Sequence, residues 1–172
     1  GVGILSAALK KDQLDAAGYA RMVAVTTQLN TPGPELAALD GVHGLTDVTG
    51  FGLAGHVLEM ARGAKCLVQI DWRCVPLMDG VQALASGGTV TGASARNWEA
   101  YGHEVQLPTC FAAGDQALLS DPQTSGGLLV SCTPEAVAAV LEVFKRHGFD
   151  DAAAVGTVLP PEMGDGVALR VV

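Results

Sequence analysis

Basic residues are scarce in this sequence of 172 residues, which has ten lysines and arginines against 18 acidic residues and a formal net charge of −8. Proteins that hold nucleic acid through its phosphates need a basic surface that releases counterions on binding. We therefore expect no nucleic-acid partner.

Long apolar runs are also missing. The apolar stretch from Ala136 to Leu141 ends at Glu142, far short of the roughly 20 residues that a membrane-spanning helix needs. No charged segment with a cleavage pattern, as in a secretory signal, begins the sequence. We expect a soluble protein without a membrane partner. Because the sequence opens at Gly1 without an initiator Met, we also expect the protein to extend further at its N-terminus.

Paired cysteines are absent, although four cysteines are present. None forms a C-x-x-C pair or has a histidine at ligand spacing, so a zinc site is not expected. Cys66 and Cys132 adjoin apolar runs and are interpreted as small core residues. Free thiols are typical of a reducing compartment, and we expect a cytoplasmic location.

Several catalytic motifs are missing as well. The sequence contains no G-x-x-x-x-G-K-[ST] phosphate loop and no G-x-S-x-G nucleophile elbow. Its four histidines do not suggest a catalytic triad, and His56 is interpreted as a packing or hydrogen-bonding residue rather than a base. Familiar nucleotide-binding loops and serine hydrolase chemistry are therefore not expected.

The composition is that of a folded domain, because 49% of the residues are hydrophobic and 16% are charged. Helical periodicity and capping residues predict helices over 13–29 with Asp12 as N-cap, 34–39, 53–62 ended by Gly63, 75–85, and 134–147 capped by Thr133 and ended by Gly148. Strands are predicted over 42–48, 66–71, 128–130, 152–159 and 167–172, the last two as a hairpin. A long polar loop is predicted over 87–103. The alternation of elements indicates an α/β (α+β) domain with one mixed sheet covered by helices.

The stretch from His43 to His56 organises the chain. A short apolar strand leads into Gly50, Gly52 and Gly55, and a helix follows directly, an order that turns backbone N–H groups toward an anion. Asp47 stands where the strand ends, and a carboxylate beside a phosphate-sized turn is a natural Mg²⁺ ligand. A glycine-rich connection with Asp47 as a turn or capping residue explains the same pattern equally well.

Two further segments carry open alternatives. The segment from Asp121 to Gly127 is either a loop facing a ligand or a neighbouring domain, or simply a turn into the next strand. In the polar segment from Gly87 to Asn97, Arg96 could clamp a phosphate and Asn97 could orient a ligand. A solvated mobile loop is the alternative for this second segment.

Three segments together resemble the selenophosphate synthetase (selenide, water dikinase) family of the aminoimidazole ribonucleotide synthetase superfamily. They are T-D-V-T-G-F-G-L with G-H at 46–56, the segment 92–97, and D-P-Q-T-S-G-G-L-L at 121–129. The resemblance implies the mixed α/β fold of that superfamily. Residues 1–172 would be a single C-terminal domain, with residues 1–10 a remnant of the connection between domains. The missing N-terminal domain would carry the reactive Cys or selenocysteine, an essential Lys and further Mg²⁺ ligands.

The resemblance also implies an activity: ATP, selenide and water are converted to selenophosphate, AMP and phosphate. By position, Asp47 would be a Mg²⁺ ligand, and Thr46, Thr49, Gly50 and Gly52 would shape the cofactor-binding turn around it. No residue here corresponds to the catalytic nucleophile. The N-terminal domain would be the partner of this chain, and the full-length protein would be a homodimer. Another ATP-dependent kinase or synthetase of the superfamily, and a non-catalytic binding module, are the alternatives.

Overall fold

The computed structural model of the protein describes residues 1–161 and 166–172. Its helices are α1 Val2–Lys10, α2 Ala16–Thr27, α3 Gly33–Ala37, α4 Gly52–Ala64, α5 Val81–Ser86, α6 Gly92–Tyr101, α7 Ala113–Leu119 and α8 Val137–Arg146. Its strands are β1 Val42–Asp47, β2 Leu67–Ile70, β3 Val105–Gln106, β4 Leu128–Cys132, β5 Gly156–Leu159 and β6 Leu169–Val171. Short 3-10 turns lie at Trp72–Cys74, Gly102–Glu104 and Pro134–Ala136. The predicted mixed α/β class is confirmed.

The strands form two sheets in the described residues rather than the single sheet that was predicted. β1 pairs antiparallel with β4, and a second, four-stranded sheet has the order β3-β6-β2-β5. β2 runs antiparallel to β5 and parallel to β6. The predicted hairpin of the last two strands is therefore wrong, because β2 lies between them. Part of the connection predicted between them, residues 162–165, lies outside the described residues.

The largest core cluster joins α4 to the four-stranded sheet. Leu58 of α4, Ile70 of β2 and Leu169 of β6 are almost completely buried in it, with Tyr101 and Leu119 beside them. Full burial of one such aliphatic side chain contributes about 1.5–3 kcal/mol. This packing fixes the direction in which α4 leaves the glycine-rich turn at its N-terminus.

The first ten residues form a packed helix. Ile4 and Leu5 of α1 are buried against Val81 and Ala85 of α5. Residues 1–10, which were expected to be a remnant of an interdomain connection, thus contribute to the core.

Three predicted helix boundaries are wrong. α2 is capped by Asp15, whose Oδ1 accepts the Gly18 N–H at 2.6 Å, and not by Asp12. Gly63 lies inside α4, which ends at Lys65 in the left-handed conformation (φ 51°). The predicted helix over 75–85 is confined to α5, which begins only after Gly80 in the left-handed conformation (φ 82°).

The last predicted helix, over 134–147, consists of a 3-10 turn at Pro134–Ala136 followed by α8. The side chain of Thr133 makes no capping hydrogen bond there, whereas Gly148 follows α8 with φ 81° as a C-terminal glycine does. No helix of residues 1–161 and 166–172 has both the length and the apolar character required to cross a bilayer.

Candidate functional site

Asp47 is the last residue of β1 and is paired with Leu128 of β4. The next residue continues the pairing, since the Val48 N–H donates to the Gly127 carbonyl at 2.9 Å. The Asp47 side chain is exposed. The backbone of Asp47 is therefore fixed by the strand pairing, and its exposed carboxylate lies at the edge of the glycine-rich turn.

The turn from Val48 to Phe51 is held by side chains of α6. The Asn97 amide Nδ2 donates to the Gly50 carbonyl at 2.9 Å, and the Tyr101 hydroxyl donates to the Phe51 carbonyl at 2.6 Å. Burial raises the pKa of Tyr101 further above its ordinary value and so favours the protonated hydroxyl, which is the form that donates. The turn ends at Gly52, which has φ 69° and donates its N–H to the Thr49 carbonyl at 3.1 Å. α6 thus fixes the geometry of the turn.

The two predicted threonines differ in their contacts. Thr46 Oγ1 donates to the Asp47 carbonyl at 3.2 Å. Thr49 Oγ1 lies 3.2 Å from Nε2 of His56, a buried residue of α4 whose Nδ1 lies 3.2 Å from a carboxylate oxygen of Glu59. His56 therefore contacts the turn by a hydrogen bond, in the role that the sequence suggested.

The turn also offers backbone donors. Among residues 1–161 and 166–172, the N–H groups of Thr49 and Gly50 donate no hydrogen bond. Unpaired N–H groups near a helix N-terminus attract anions, because the peptide dipoles point their positive ends there. The carboxylate of Asp47 and these donors come from one continuous stretch of chain, 47–50.

The segment from Asp121 to Gly127 lies directly against this turn. The Gln123 N–H donates to the Thr49 carbonyl at 3.0 Å. A Cβ atom added to Gly126 would be only 1.5 Å from the Val48 carbonyl oxygen. The structure thus brings together two motifs that are about 75 residues apart, a contact that the sequence alone did not indicate.

The predicted polar loop over 87–103 contains α6 instead. Thr91 caps this helix by accepting the Ser94 N–H at 3.0 Å, and the Ser94 hydroxyl is buried against the Ala117 carbonyl at 2.8 Å. Asn97 uses its amide on the Gly50 and Ser120 carbonyls. In the structure the Asn97 side chain therefore holds the turn, and Arg96 is exposed on α6. The ordered helix is not the mobile loop that was the alternative for this segment. The signal for the helix was the capping pair Thr91 and Ser94.

The cysteines are all free thiols. Cys66 and Cys132 are half-buried, and burial raises the pKa of the Cys132 thiol. A raised pKa keeps the thiol protonated and less reactive. In the described part of the chain, no group of three or more His, Cys, Asp or Glu side chains is arranged to hold a metal ion. From the residues described, Asp47 therefore provides one carboxylate, not a complete metal site.

Comparison with known proteins gives a family. The family described as AIR synthase related protein, C-terminal domain, matches residues 1–167. The chain is 61% identical over 168 residues to a selenide, water dikinase of Burkholderia pseudomallei (strain K96243), covering 98% of this chain and 46% of that protein. It is 62% identical over 156 residues to the protein of the same name from Pseudomonas straminea, covering 91% of this chain and 44% of that protein. The chain thus spans about half the length of these curated relatives.

Solved structures agree on the fold. A hydrogenase maturation protein HypE aligns with a TM-score of 0.51 at 19% identity, covering 77% of this chain and 33% of the other. A HypE solved in complex with ATP aligns with a TM-score of 0.51 at 18% identity, covering 83% of this chain and 37% of the other. The shared fold and the match over residues 1–167 lead to one conclusion: the chain belongs to the AIR synthase related protein family, as its C-terminal domain.

Proposed function

We propose that this chain is the C-terminal half of a selenophosphate synthetase, a selenide, water dikinase. The full-length protein would convert ATP, selenide and water to selenophosphate, AMP and phosphate. The observation that carries the proposal is the 61% identity over 98% of the chain to a protein of that name. Each motif that suggested the family lies within the aligned length, and two of them meet in the structure around Asp47.

The part of this chain in that reaction is to supply one ligand to Mg²⁺. Magnesium takes oxygen ligands and is commonly shared between one or two carboxylates and the phosphates of a nucleotide. The exposed Asp47 carboxylate at the end of β1 suits this role in donor type and accessibility. The bound ion would neutralise phosphate charge and orient the phosphates. Its remaining protein ligands would come from the half of the protein that precedes this domain.

The turn beside Asp47 would bind phosphate oxygens. The N–H groups of Thr49 and Gly50 are the donors offered to them, and Thr46 and Gly52 fix the backbone on either side. Thr49 Oγ1 lies 3.2 Å from Nε2 of His56, and this hydrogen bond orients the Thr49 hydroxyl within the turn. A protein with this fold, HypE, has been solved in complex with ATP, so the architecture is compatible with a bound nucleotide.

Charge supports a shared site. With a net charge of −8, this chain would repel the phosphates of ATP unless Mg²⁺ and basic residues of the other half compensate. We propose that the preceding half supplies those basic residues and the nucleophile, and that the full-length protein is a cytoplasmic homodimer acting on ATP and selenide. The domain alone would fold without catalysing the reaction.

The proposal is tested with the full-length protein by ³¹P NMR in the presence of Mg²⁺ and ATP, with and without selenide. We expect AMP, phosphate and a selenophosphate resonance only when selenide is present. Formation of ADP with a different acceptor, and no dependence on selenide, would instead indicate a small-molecule kinase of the same superfamily. No nucleotide turnover with any acceptor would favour a binding module.

A further inference from the structure

The N-terminus of α1 is held by side chains from a distant part of the chain. Gly1, the N-cap residue, provides no side-chain hydrogen bond. The Val2 N–H donates to Oε1 of Gln123 at 3.2 Å, and the Ile4 N–H donates to Oδ2 of Asp121 at 3.2 Å. First-turn N–H groups have no partner within their own helix. Asp121 and Gln123 therefore act as a cap supplied from outside.

This cap is rigid because its two members are bonded to each other. Nε2 of Gln123 donates to Oδ2 of Asp121 at 3.0 Å and to the Asp121 carbonyl at 2.9 Å. Asp121 is completely buried. The approach of α1 is also close, since a Cβ atom on Gly3 would be 2.4 Å from Oδ1 of Asp121 and 2.8 Å from the Pro122 carbonyl oxygen. A side chain at residue 3 would therefore force α1 away from Asp121 and Pro122.

The same glutamine holds the turn beside Asp47. Its backbone N–H donates to the Thr49 carbonyl at 3.0 Å. Thr49 lies two residues after Asp47. It is thereby bonded to Gln123, whose side chain holds the first turn of α1. Gln123 thus connects α1 to the Asp47 turn directly, by a side-chain bond on one side and a main-chain bond on the other.

We propose that Gln123 is a positioning residue, which couples the N-terminus of α1 to the Asp47 turn and so sets where the Asp47 carboxylate stands for Mg²⁺. The inference rests on the metal role proposed above for Asp47. Residues that orient a metal ligand without touching the ion typically change metal affinity about 10- to 100-fold when they are replaced. The segment from Asp121 to Gly127 then supports the position of the Asp47 turn and does not itself bind a ligand.

The test uses Gln123→Met in the full-length protein, because methionine fills a similar volume but makes none of the side-chain hydrogen bonds. Mn²⁺, a paramagnetic substitute for Mg²⁺, is titrated with nucleotide present, and free Mn²⁺ is read by EPR. We expect about a tenfold weaker Mn²⁺ affinity for Gln123→Met. The same substitution in an Asp47→Asn background should cause no further loss, since the effect passes through Asp47.

Gln13→Met is the matched control. Gln13 Oε1 accepts the Thr89 hydroxyl at 2.8 Å, so this change also removes a glutamine bond between distant segments, but away from Asp47. It should leave Mn²⁺ affinity unchanged even where it lowers the melting temperature. Gly3→Ala, which separates α1 from Asp121 while keeping Gln123, should weaken Mn²⁺ binding in the same direction and serves if Gln123→Met does not fold.

Unchanged Mn²⁺ affinity in folded Gln123→Met would overturn the inference. So would a loss of Mn²⁺ affinity on Gln123→Met that is equally large in the unchanged protein and in the Asp47→Asn variant. An Asp47→Asn variant that binds Mn²⁺ as tightly as the unchanged protein would overturn it as well. Selenide-dependent AMP formation by the unchanged protein tests the proposed function separately. A protein that is active but insensitive at Gln123 refutes only the coupling.

Discussion

The backbone of Ser120 lies directly against the α-carbon of Gly52. A Cβ atom at residue 52 would be 2.6 Å from the Ser120 carbonyl carbon, and Gly52 has φ 69°. Both the close contact and the left-handed conformation require glycine. Gly50, two residues earlier, has neither restriction, because a Cβ atom there would meet nothing within 4 Å. The two glycines of the turn therefore have separable roles.

Gly52→Ala should destabilise the protein by about 2 kcal/mol or more, from a left-handed alanine combined with a clash against backbone. Gly50→Ala should leave stability within about 1 kcal/mol of the original, yet weaken Mg·ATP binding if the turn contacts phosphate. Urea unfolding measures the first effect, and nucleotide titration of the full-length protein measures the second. Equal loss of stability in the two variants would contradict this division of roles.

Gly126 and Gly127 form a second matched pair. A Cβ atom on Gly126 would be 1.5 Å from the Val48 carbonyl oxygen, whereas one on Gly127 would meet nothing within 4 Å. A backbone oxygen cannot move aside as a flexible side chain can, so Gly126→Ala should cost about 3 kcal/mol. Gly127→Ala should cost less than about 1 kcal/mol. Thermal and urea unfolding of both variants check the difference, and similar stabilities would show that the contact with Val48 is not maintained in solution.

The ion pair of Glu104 and Arg62 should make stability depend on pH. Nε and a terminal nitrogen of Arg62 donate to the two carboxylate oxygens of Glu104 at 2.9 and 2.5 Å. These bonds lower the pKa of Glu104 below its ordinary value of 4.5. Since the folded pKa lies below the unfolded one, the stabilisation is present above about pH 4.5 and is lost as the pH falls through the folded pKa.

Glu104→Gln should therefore lower the free energy of unfolding by about 0.5–1 kcal/mol at pH 7, as expected for a partly exposed pair. The difference from the unchanged protein should shrink in acid. Urea unfolding at pH 7 and at low pH measures this. Glu99→Gln, at an exposed position of α6, is the control for loss of one negative charge and should leave the free energy of unfolding at pH 7 unchanged. A deficit that persists unchanged in acid would contradict the assignment to this ion pair.

Local patterns predicted the strand, turn and helix around Asp47 better than they predicted the two sheets. Three consecutive features could be predicted: the strand ending at Asp47, the turn at Gly50 and Gly52, and the helix that follows. A β-to-α connection depends on residues that are adjacent in sequence, so local patterns are sufficient to predict it. The arrangement of β5 and β6 on either side of β2 was not, because strand order depends on contacts between distant segments. Nearness in sequence suggested a hairpin that tertiary packing does not form.

The missed helix α6 shows a second limit. The segment 87–103 that contains it is rich in Gly, Thr, Ser and Asn, which have weak helix preference, so the segment was predicted as a loop. Burial of Ser94 and Tyr101 and the cap at Thr91 stabilise the helix in the folded protein. The contacts of Asn97 with Gly50 and of Gln123 with Thr49 depend on that tertiary placement, and no spacing in the sequence indicates them.

The most direct measurement is the Mg²⁺ dependence of selenide-driven AMP formation by full-length Asp47→Asn. Because Asp47 is exposed, the substitution should leave the circular dichroism spectrum and melting temperature unchanged. Asp150→Asn, at another exposed position, is the matched control and should behave as the unchanged protein. We predict that Asp47→Asn lowers turnover at least about tenfold at limiting Mg²⁺. Turnover and Mg²⁺ dependence equal to those of Asp150→Asn would contradict the account.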